Sequence, residues 1–312
     1  MSDIRHEISY GKIAVPIYRV YSASLRGVTP IPESPFTGRD NILVAREIDI
    51  QVLGENFLPA YTDGDNSAVV ATDSMKNVIL REALTHDGGT LEGFLHHLGE
   101  VFLTTYPEMH RVRLSGRELP FAPERVPDGE GGFVDSNVLF VRTDGDFSTA
   151  MLEMDIDGGT TVVHDHCSGR EKLRLLKVTG SAFTSFVRDG NTTLPDRRDR
   201  PLYIYLDVQW RYRSMADLFG NSHTAYVPAE QVRNLVTAVF HEFVSESIQH
   251  LVHEMGTRIL ERFPGLSEVS FAAQNRTRDP YYRSESDPRV AVYSDPFPAH
   301  GEITLGMIRD QG

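Results

Sequence analysis

Cysteine is almost missing from the 312 residues, with Cys167 the single one. No disulfide can form within the chain and no all-cysteine zinc site can be built. A reducing, cytoplasmic setting agrees with that. Long apolar runs are missing too: no stretch reaches the ~18 residues a membrane-crossing helix needs. The opening MSDIRHEISYGK lacks the apolar core of a secretory leader. Positive charge is in short supply, since 31 Lys and Arg face 44 Asp and Glu, a net charge of −13. That balance repels phosphate backbones and anionic lipid, so broad nucleic-acid or membrane-surface binding is not expected. It still permits a small anion held by one or two local arginines.

What is present is enough for a sizeable core, because 40% of the residues are apolar and a chain of this length buries most of its unfolded surface. β-Branched, loosely alternating stretches predict strands at residues 12–20 and 42–52, joined by the turn-rich TPIPESPFTGRDN. Helical periodicity predicts helices at 67–80 and 90–105, the second with Leu91, Phe94, Leu95, Leu98, Val101 and Phe102 on one face and Thr90 as its cap. Pro107 stops it, and a strand begins at 112–114. The second half follows the same plan, with strands at 175–178, 203–212 and 269–273 and helices at 232–243 and 247–263, the last stopped by Pro264.

The two stops align. Leu98-Gly99, Leu103, Tyr106-Pro107, Met109, Val112 and Leu114 match Met255-Gly256, Leu260, Phe263-Pro264, Leu266, Val269 and Phe271 at a constant offset of 157 residues. Any two helix–proline–strand junctions share part of this pattern. Taken as a repeat, it divides the chain into residues 1–160 and 161–312, each a strand–strand–helix–helix–strand unit of the α+β class, an antiparallel sheet with a helix pair on one face. Open sheets leave edges that must be paired or covered, and closing into a barrel on oligomerisation does this.

Three sets of residues could carry chemistry. Metal ligation would draw on His164, Asp165, His166 and Cys167, or on Glu246, His250, His253 and Glu254. The order His-Leu-Val-His-Glu matches neither H-E-x-x-H nor its inverse, so surface histidines on a polar helix face, and a turn at 164–167, account for both. The stretch TDGDNS at 62–67 has one glycine and no lysine, too little for a phosphate cradle. Third come polar residues at element ends: Lys12, Thr72-Asp73, Arg200, Gln249 and Asn275. By spacing alone these read as structural, with Asn66 and Thr72 as caps, Arg200 in a surface ion pair and Asn275 in a turn.

Specific stretches give that third set more weight. They are Tyr10-Gly11-Lys12, GDNSAVVATDSMKN (64–77), Phe183 with FVRDGNTTLP (186–195), Arg200-Pro201 with Trp210, SIQHLVHEMG (247–256) and AAQNRT (272–277). Through them the chain resembles the urate oxidase (uricase) family almost end to end, and IPESPF (31–36) resembles its bacterial branch.

The resemblance implies the tunnelling fold, with two tandem T-fold repeats per chain, a homotetramer, and active sites between subunits, the Thr72-Asp73 side coming from a neighbouring chain. It implies urate and O2 as substrates and no metal or other cofactor. Lys12 and Thr72 match the family's catalytic pair, and Phe183 the aromatic on which the purine stacks. Arg200 and Gln249 match the clamp on the substrate edge, and Ile248 a backbone contact. Asn275 matches the residue that holds dioxygen or water above the ring. Many members follow that asparagine with Lys-His, whereas this chain has Arg276-Thr277, so Thr277, Arg276 or water must stand in for the relay histidine. Two alternatives remain: a metal-dependent, cyclohydrolase-like T-fold enzyme of purines or pterins using His164, His166 or the His250/His253 pair, and an inactive purine-binding homologue.

Overall fold

The computed structural model describes residues 4–219, 222–294 and 298–310. The chain divides into two compact units. Unit 1 holds the N-terminal stretch through Thr29, then Thr37–Gly169, and a later segment, Ser214–Tyr226. Unit 2 holds Pro30–Phe36, Arg170–Arg213 and the chain from Val227 onward.

In unit 1 an antiparallel sheet runs in the lateral order β1 (Ser9–Val20), β2 (Leu43–Leu53), β3 (Arg111–Glu118), β6 (Phe147–Asp157). A hairpin of β4 (Phe121–Pro127) and β5 (Phe133–Arg142) interrupts it in sequence, and β7 (Thr160–Lys177) starts beside β6. Ile48, Ile50 and Val52 on β2 point the same way as Val112 and Leu114 on β3 and Leu152 and Met154 on β6, and all are fully buried. The period of two puts one face of every strand into the core. The short α1 (Leu58–Thr62) precedes α2 (Thr72–Thr85), which packs on β1; α3 (Leu91–Thr105) covers β3 and β6. Thr90 caps α3 by accepting the Gly93 N–H at 3.1 Å. Phe94, Leu95, Leu98 and Phe102 supply its buried face, each worth roughly 1.5–3 kcal/mol when withdrawn from water. Gly99 allows the close approach, since a methyl there would strike the Met154 sulfur. The segment α4 (Met215–Phe219) completes this unit.

Unit 2 has the end of β7, then β8 (Leu202–Tyr212), β9 (Leu266–Asn275) and β12 (Gly301–Ile308), with β8, β9 and β12 antiparallel in that order. Leu202, Ile204, Leu206, Val208, Trp210 and Tyr212 give β8 an unbroken period-two buried face. Two helices, α5 (Ala229–Glu242) and α6 (Ile248–Arg262), follow, and a small pair, β10 (Tyr282–Arg283) and β11 (Ala291–Val292), lies outside the main sheet. At Gly256 on α6 a methyl would strike the Met307 sulfur. The architecture is α+β with mainly antiparallel strands, and among the described residues no helix is long and apolar enough to cross a membrane.

Several expectations need correction. The helix expected at 67–80 begins at Thr72 and runs to Thr85. Its entry is diverted because the Ser67 N–H goes to Asp65 Oδ1 and the Val70 N–H to the Tyr10 hydroxyl. Ala71, not Thr72 or Asn66, stands at the cap position. The strand expected at 175–178 is the tail of the 18-residue β7, and residues 164–167 lie inside that strand instead of in a turn. Pairing with a neighbour on each side satisfies its backbone whatever its side chains, so the charges that hid it from the pattern do not disrupt it. Each unit also has a further strand, β6 or β12, absent from the expected plan.

Candidate active site

Two clusters contain the singled-out residues, one in each unit. In unit 1, Lys12 lies on β1 opposite Ile50 and next to a bulge, where the register shifts between Lys12 and Val15. Ala14 takes a positive φ of 60° there, and its N–H is held by Asp49 Oδ1 at 2.6 Å. A non-glycine residue in that region is strained, and the bulge re-aims the side chains beside it. Gly11 is required by contact, since a Cβ would collide with the Ile50 carbonyl. Tyr10 packs edge-on to Phe57 at 5.0 Å, and its hydroxyl accepts the Val70 N–H at 3.1 Å. Tyr10 thus ties the Lys12 strand to the segment that enters α2. Thr72 and Asp73 open that helix, and the Lys12 ammonium is within electrostatic reach of Asp73. The Asp73 carboxyl is held below its ordinary range mainly by the hydrogen bond and charge of Lys76, 2.5 Å away. Lys12 and Thr72 are half-buried, and Asp73 is exposed.

In unit 2, Phe183 and Arg197 exchange backbone bonds of 2.7 and 3.0 Å, and the Arg200 N–H reaches the Ser181 carbonyl at 2.9 Å. This ladder places the Arg200 guanidinium 5.4 Å from the centre of the Phe183 ring. Phe186 stacks on the same ring at 4.9 Å, 11° from parallel. Arg197 is occupied by Asp279, at 2.6 and 3.1 Å. Among the described residues no such carboxylate pairs with Arg200, and its buried Nε has no hydrogen-bond partner. Burial lowers its pKa, with Asp279 acting against that. The surface ion pair expected from spacing is therefore the neighbour's, Arg197.

Ser181 bridges to Ser245, with the Ala182 N–H on the Ser245 carbonyl at 2.8 Å, which brings in the start of α6. Ser247 caps that helix through the His250 N–H at 3.0 Å. Ile248 is buried and Gln249 exposed in the first turn, where backbone N–H groups have no acceptor within the helix. Asn275 ends β9. Its Oδ1 accepts the Thr277 N–H at 3.0 Å, while Thr277 Oγ1 accepts the Tyr203 N–H at 3.0 Å. Asn275 is not in the turn that spacing suggested but is the last strand residue, paired with Ile204 and Gly301, and Thr277 fixes which way its amide faces. Phe186 and Asp279 were missed as neighbours of Phe183 and Arg200. Phe186 is visible within its motif, but nothing in the sequence marks Asp279.

The histidines expected as alternative ligands have other contacts. His164 Nε2 meets Asp155 at 2.6 Å, and the His250 ring stands edge-on to Phe243 at 4.7 Å. Among the described residues no group of three or more His, Cys, Asp or Glu could hold a metal ion.

Fold and side chains together define the class: an α+β, mainly antiparallel protein with a buried guanidinium beside an aromatic face. The uricase family model matches residues 53–149 and 166–304. The chain is 47% identical over 271 residues to a uricase of Haloferax volcanii, covering 86% of this chain and 88% of that one. It is 42% identical to the uric acid degradation bifunctional protein PucL of Bacillus subtilis, covering 96% of this chain and 60% of that protein. A crystal structure of Bacillus sp. TB-90 urate oxidase superposes with a TM-score of 0.93 at 41% identity, over 97% of this chain and 100% of that one. The chain belongs to the uricase family, the urate oxidases that carry out urate degradation.

Proposed function

We propose that the chain oxidises urate with dioxygen and water to 5-hydroxyisourate and hydrogen peroxide, without a cofactor, at a site completed by a second copy of itself. The observation that carries this is the Arg200 guanidinium, with a buried donor that lacks a partner among the described residues, set beside the Phe183 ring. Urate is a flat anion. A guanidinium fork offers two parallel charge-assisted bonds to adjacent acceptors on its edge, and the phenyl face takes the ring plane. Gln249 offers a donor and an acceptor for the opposite edge, and the Ile248 N–H at the helix start a further donor. Phe186, stacked on Phe183, gives way to the purine.

Lys12 and Thr72 together carry a proton away from urate, with Asp73 completing that side. The dianion gives two electrons to O2. A peroxide adduct forms at the ring, and water replaces it, releasing hydrogen peroxide. Asn275, its carbonyl oxygen taken by Thr277, presents its NH2 to dioxygen or water above the ring, and the Thr277 hydroxyl or a water serves the final relay.

In this reading the chain is two tandem T-fold repeats, residues 1–160 and 161–312, in a cytoplasmic homotetramer whose sheets close into a barrel. Matching lengths and offsets support the repeats. Thr72–Thr85 and Ala229–Glu242 have 14 residues each, and Leu91–Thr105 and Ile248–Arg262 have 15 each. The Ala14–Asp49 bulge has a counterpart, Lys172 at φ 61° with its N–H on Asp207. The same offset relates the segment after β2 to Ser214–Tyr226, which packs into unit 1. The equivalent segment of a neighbouring copy, leading into Thr72 and Asp73, then covers the Gln249 end of unit 2.

The test is loss of urate's ultraviolet absorbance in air with one peroxide formed per urate, in the presence of a chelator. Unchanged absorbance, or activity abolished by chelation, overturns the reading.

A further inference from the structure

The positions that surround the proposed purine site in unit 2 have counterparts in unit 1. Phe183 and Arg197 form an antiparallel bridge, and so do Leu25 and Arg39, 158 residues earlier. Gln249 is the second residue of a capped 15-residue helix; Glu92 is the second residue of the other. Asn275 ends β9, and Glu118 ends β3.

The two constellations differ in access. Gln249 is exposed, whereas Leu25 and Glu92 are 1% and 4% exposed. Both Glu92 oxygens are taken by hydroxyls of the chain itself. Ser168 donates to one at 2.6 Å, and Tyr226 to the other at 3.0 Å. The strap carrying Tyr226 is pinned on its way in: His223 Nδ1 meets the Arg26 carbonyl at 3.0 Å, and Thr29 donates to the Thr224 carbonyl at 2.6 Å. Glu118 is gripped by Arg39 at 2.7 and 2.9 Å.

We infer that unit 1 carries a second, closed site of the same build, in which the Tyr226 phenol is the resident ligand of the Glu92 carboxyl. Its chemistry is not that of the open site. A carboxyl anchor suits a flat ring bearing an O–H or N–H donor, and it disfavours an anion such as urate. The comparison of positions rests on the proposed urate site, but the closure of unit 1 does not. Two consequences follow. The chain binds one urate, not two. Removing the Tyr226 side chain leaves a ring-sized vacancy with an acid at its end, which takes a small phenol from solution, as polar or apolar cavities of that size take matching ligands.

The experiment uses the full chain in its natural assembly. Tyr226→Ala is titrated calorimetrically with 4-methylphenol, and its thermal midpoint is followed. One 4-methylphenol per chain is expected in the variant and none at this site in the wild type, with the midpoint raised only in the variant. Toluene, which lacks the hydroxyl, binds about tenfold more weakly, the worth of one such hydrogen bond. Absence of binding to the folded variant, or equal binding of toluene, overturns the inference. So do two equivalents of urate per wild-type chain in an anaerobic titration. Urate turnover by Tyr226→Ala stays within about twofold of wild type, because neither Tyr226 nor Glu92 is among the residues assigned to the urate site. If Tyr226→Ala does not fold, Tyr226→Phe and Glu92→Leu are combined in a double-mutant cycle. Losses that fail to add support the pairing, and additive losses overturn it. A wild-type chain that left urate untouched would defeat the proposed function but not the phenol result.

Discussion

The backbone N–H of Thr277 donates to Oδ1 of Asn275 at 3.0 Å. A main-chain donor admits only the carbonyl end of the amide, so the NH2 group must face the other way. Asn275→Leu should therefore remove a pre-aimed donor and lower kcat by about 10²–10³, with a smaller effect on KM for urate. Thr277→Val, which loses the bond to the Tyr203 N–H, should cost less, and Thr277→Ser should restore it. Steady-state kinetics over urate and oxygen concentration check both; unchanged kcat in Asn275→Leu removes this residue from the reaction.

The Tyr10 hydroxyl accepts the Val70 N–H and so ties the Lys12 strand to the segment that leads into Thr72. Lys12→Met and Thr72→Ala should each lower turnover by about 10²–10⁴, the range for losing a positioned proton-transfer group. Tyr10→Phe should produce a milder loss through misplacement of Thr72. Full activity in both Lys12→Met and Thr72→Ala would exclude the proposed proton route.

For Arg200→Lys, binding should suffer more than folding, since an ammonium cannot reproduce the two-pronged contact. Urate affinity measured without oxygen should drop while the thermal midpoint stays near wild type. The opposite result, intact affinity with early melting, assigns Arg200 to the fold.

His86 supplies a pH prediction. Burial pushes its pKa down from 6.5 to about 4, and the positive charges of His97, Arg46 and Arg19 add to the effect. Between those values the unfolded chain binds a proton that the folded one refuses. Stability therefore falls as pH drops from about 6.5 towards about 4, with no further change from this group below that. Denaturation curves across this window should show a shallower slope for His86→Phe than for wild type.

Gly99→Ala and Gly256→Ala should each destabilise by about 1–3 kcal/mol, the cost of overpacking a tight core, because each new methyl meets a methionine sulfur, Met154 or Met307. Gly306, with open space around it, is the control. Chemical denaturation that ranks Gly306→Ala alongside the other two would contradict the packing described.

The sequence made the helices and the strongly apolar strands legible because their periodicity is set by one buried face. Thr90, Leu98 and Phe102 on α3, and Leu206, Val208 and Trp210 on β8, follow this rule. It concealed β7, where His164, Asp165, Arg170, Glu171 and Lys172 are carried by a backbone paired on both sides. The start of α2 was misplaced for a related reason: a hydroxyl 60 residues away in sequence captures Val70. At the site, motif resemblance pointed to Lys12, Phe183, Arg200 and Asn275, but not to what orients them. Thr277 acts through its main chain, and Asp279 reaches Arg197 from 82 positions away. Neither effect leaves a mark in local residue order.

Unit 1 includes Ser214–Tyr226, a segment made long after its last sheet strand begins. The nascent chain can therefore assemble most of its first half but cannot seal Glu92 until the ribosome has delivered Tyr226. At roughly 5–20 residues per second this delay lasts several seconds. During it a carboxyl destined for the interior stays wet, and a half-length fragment released early would keep it so permanently.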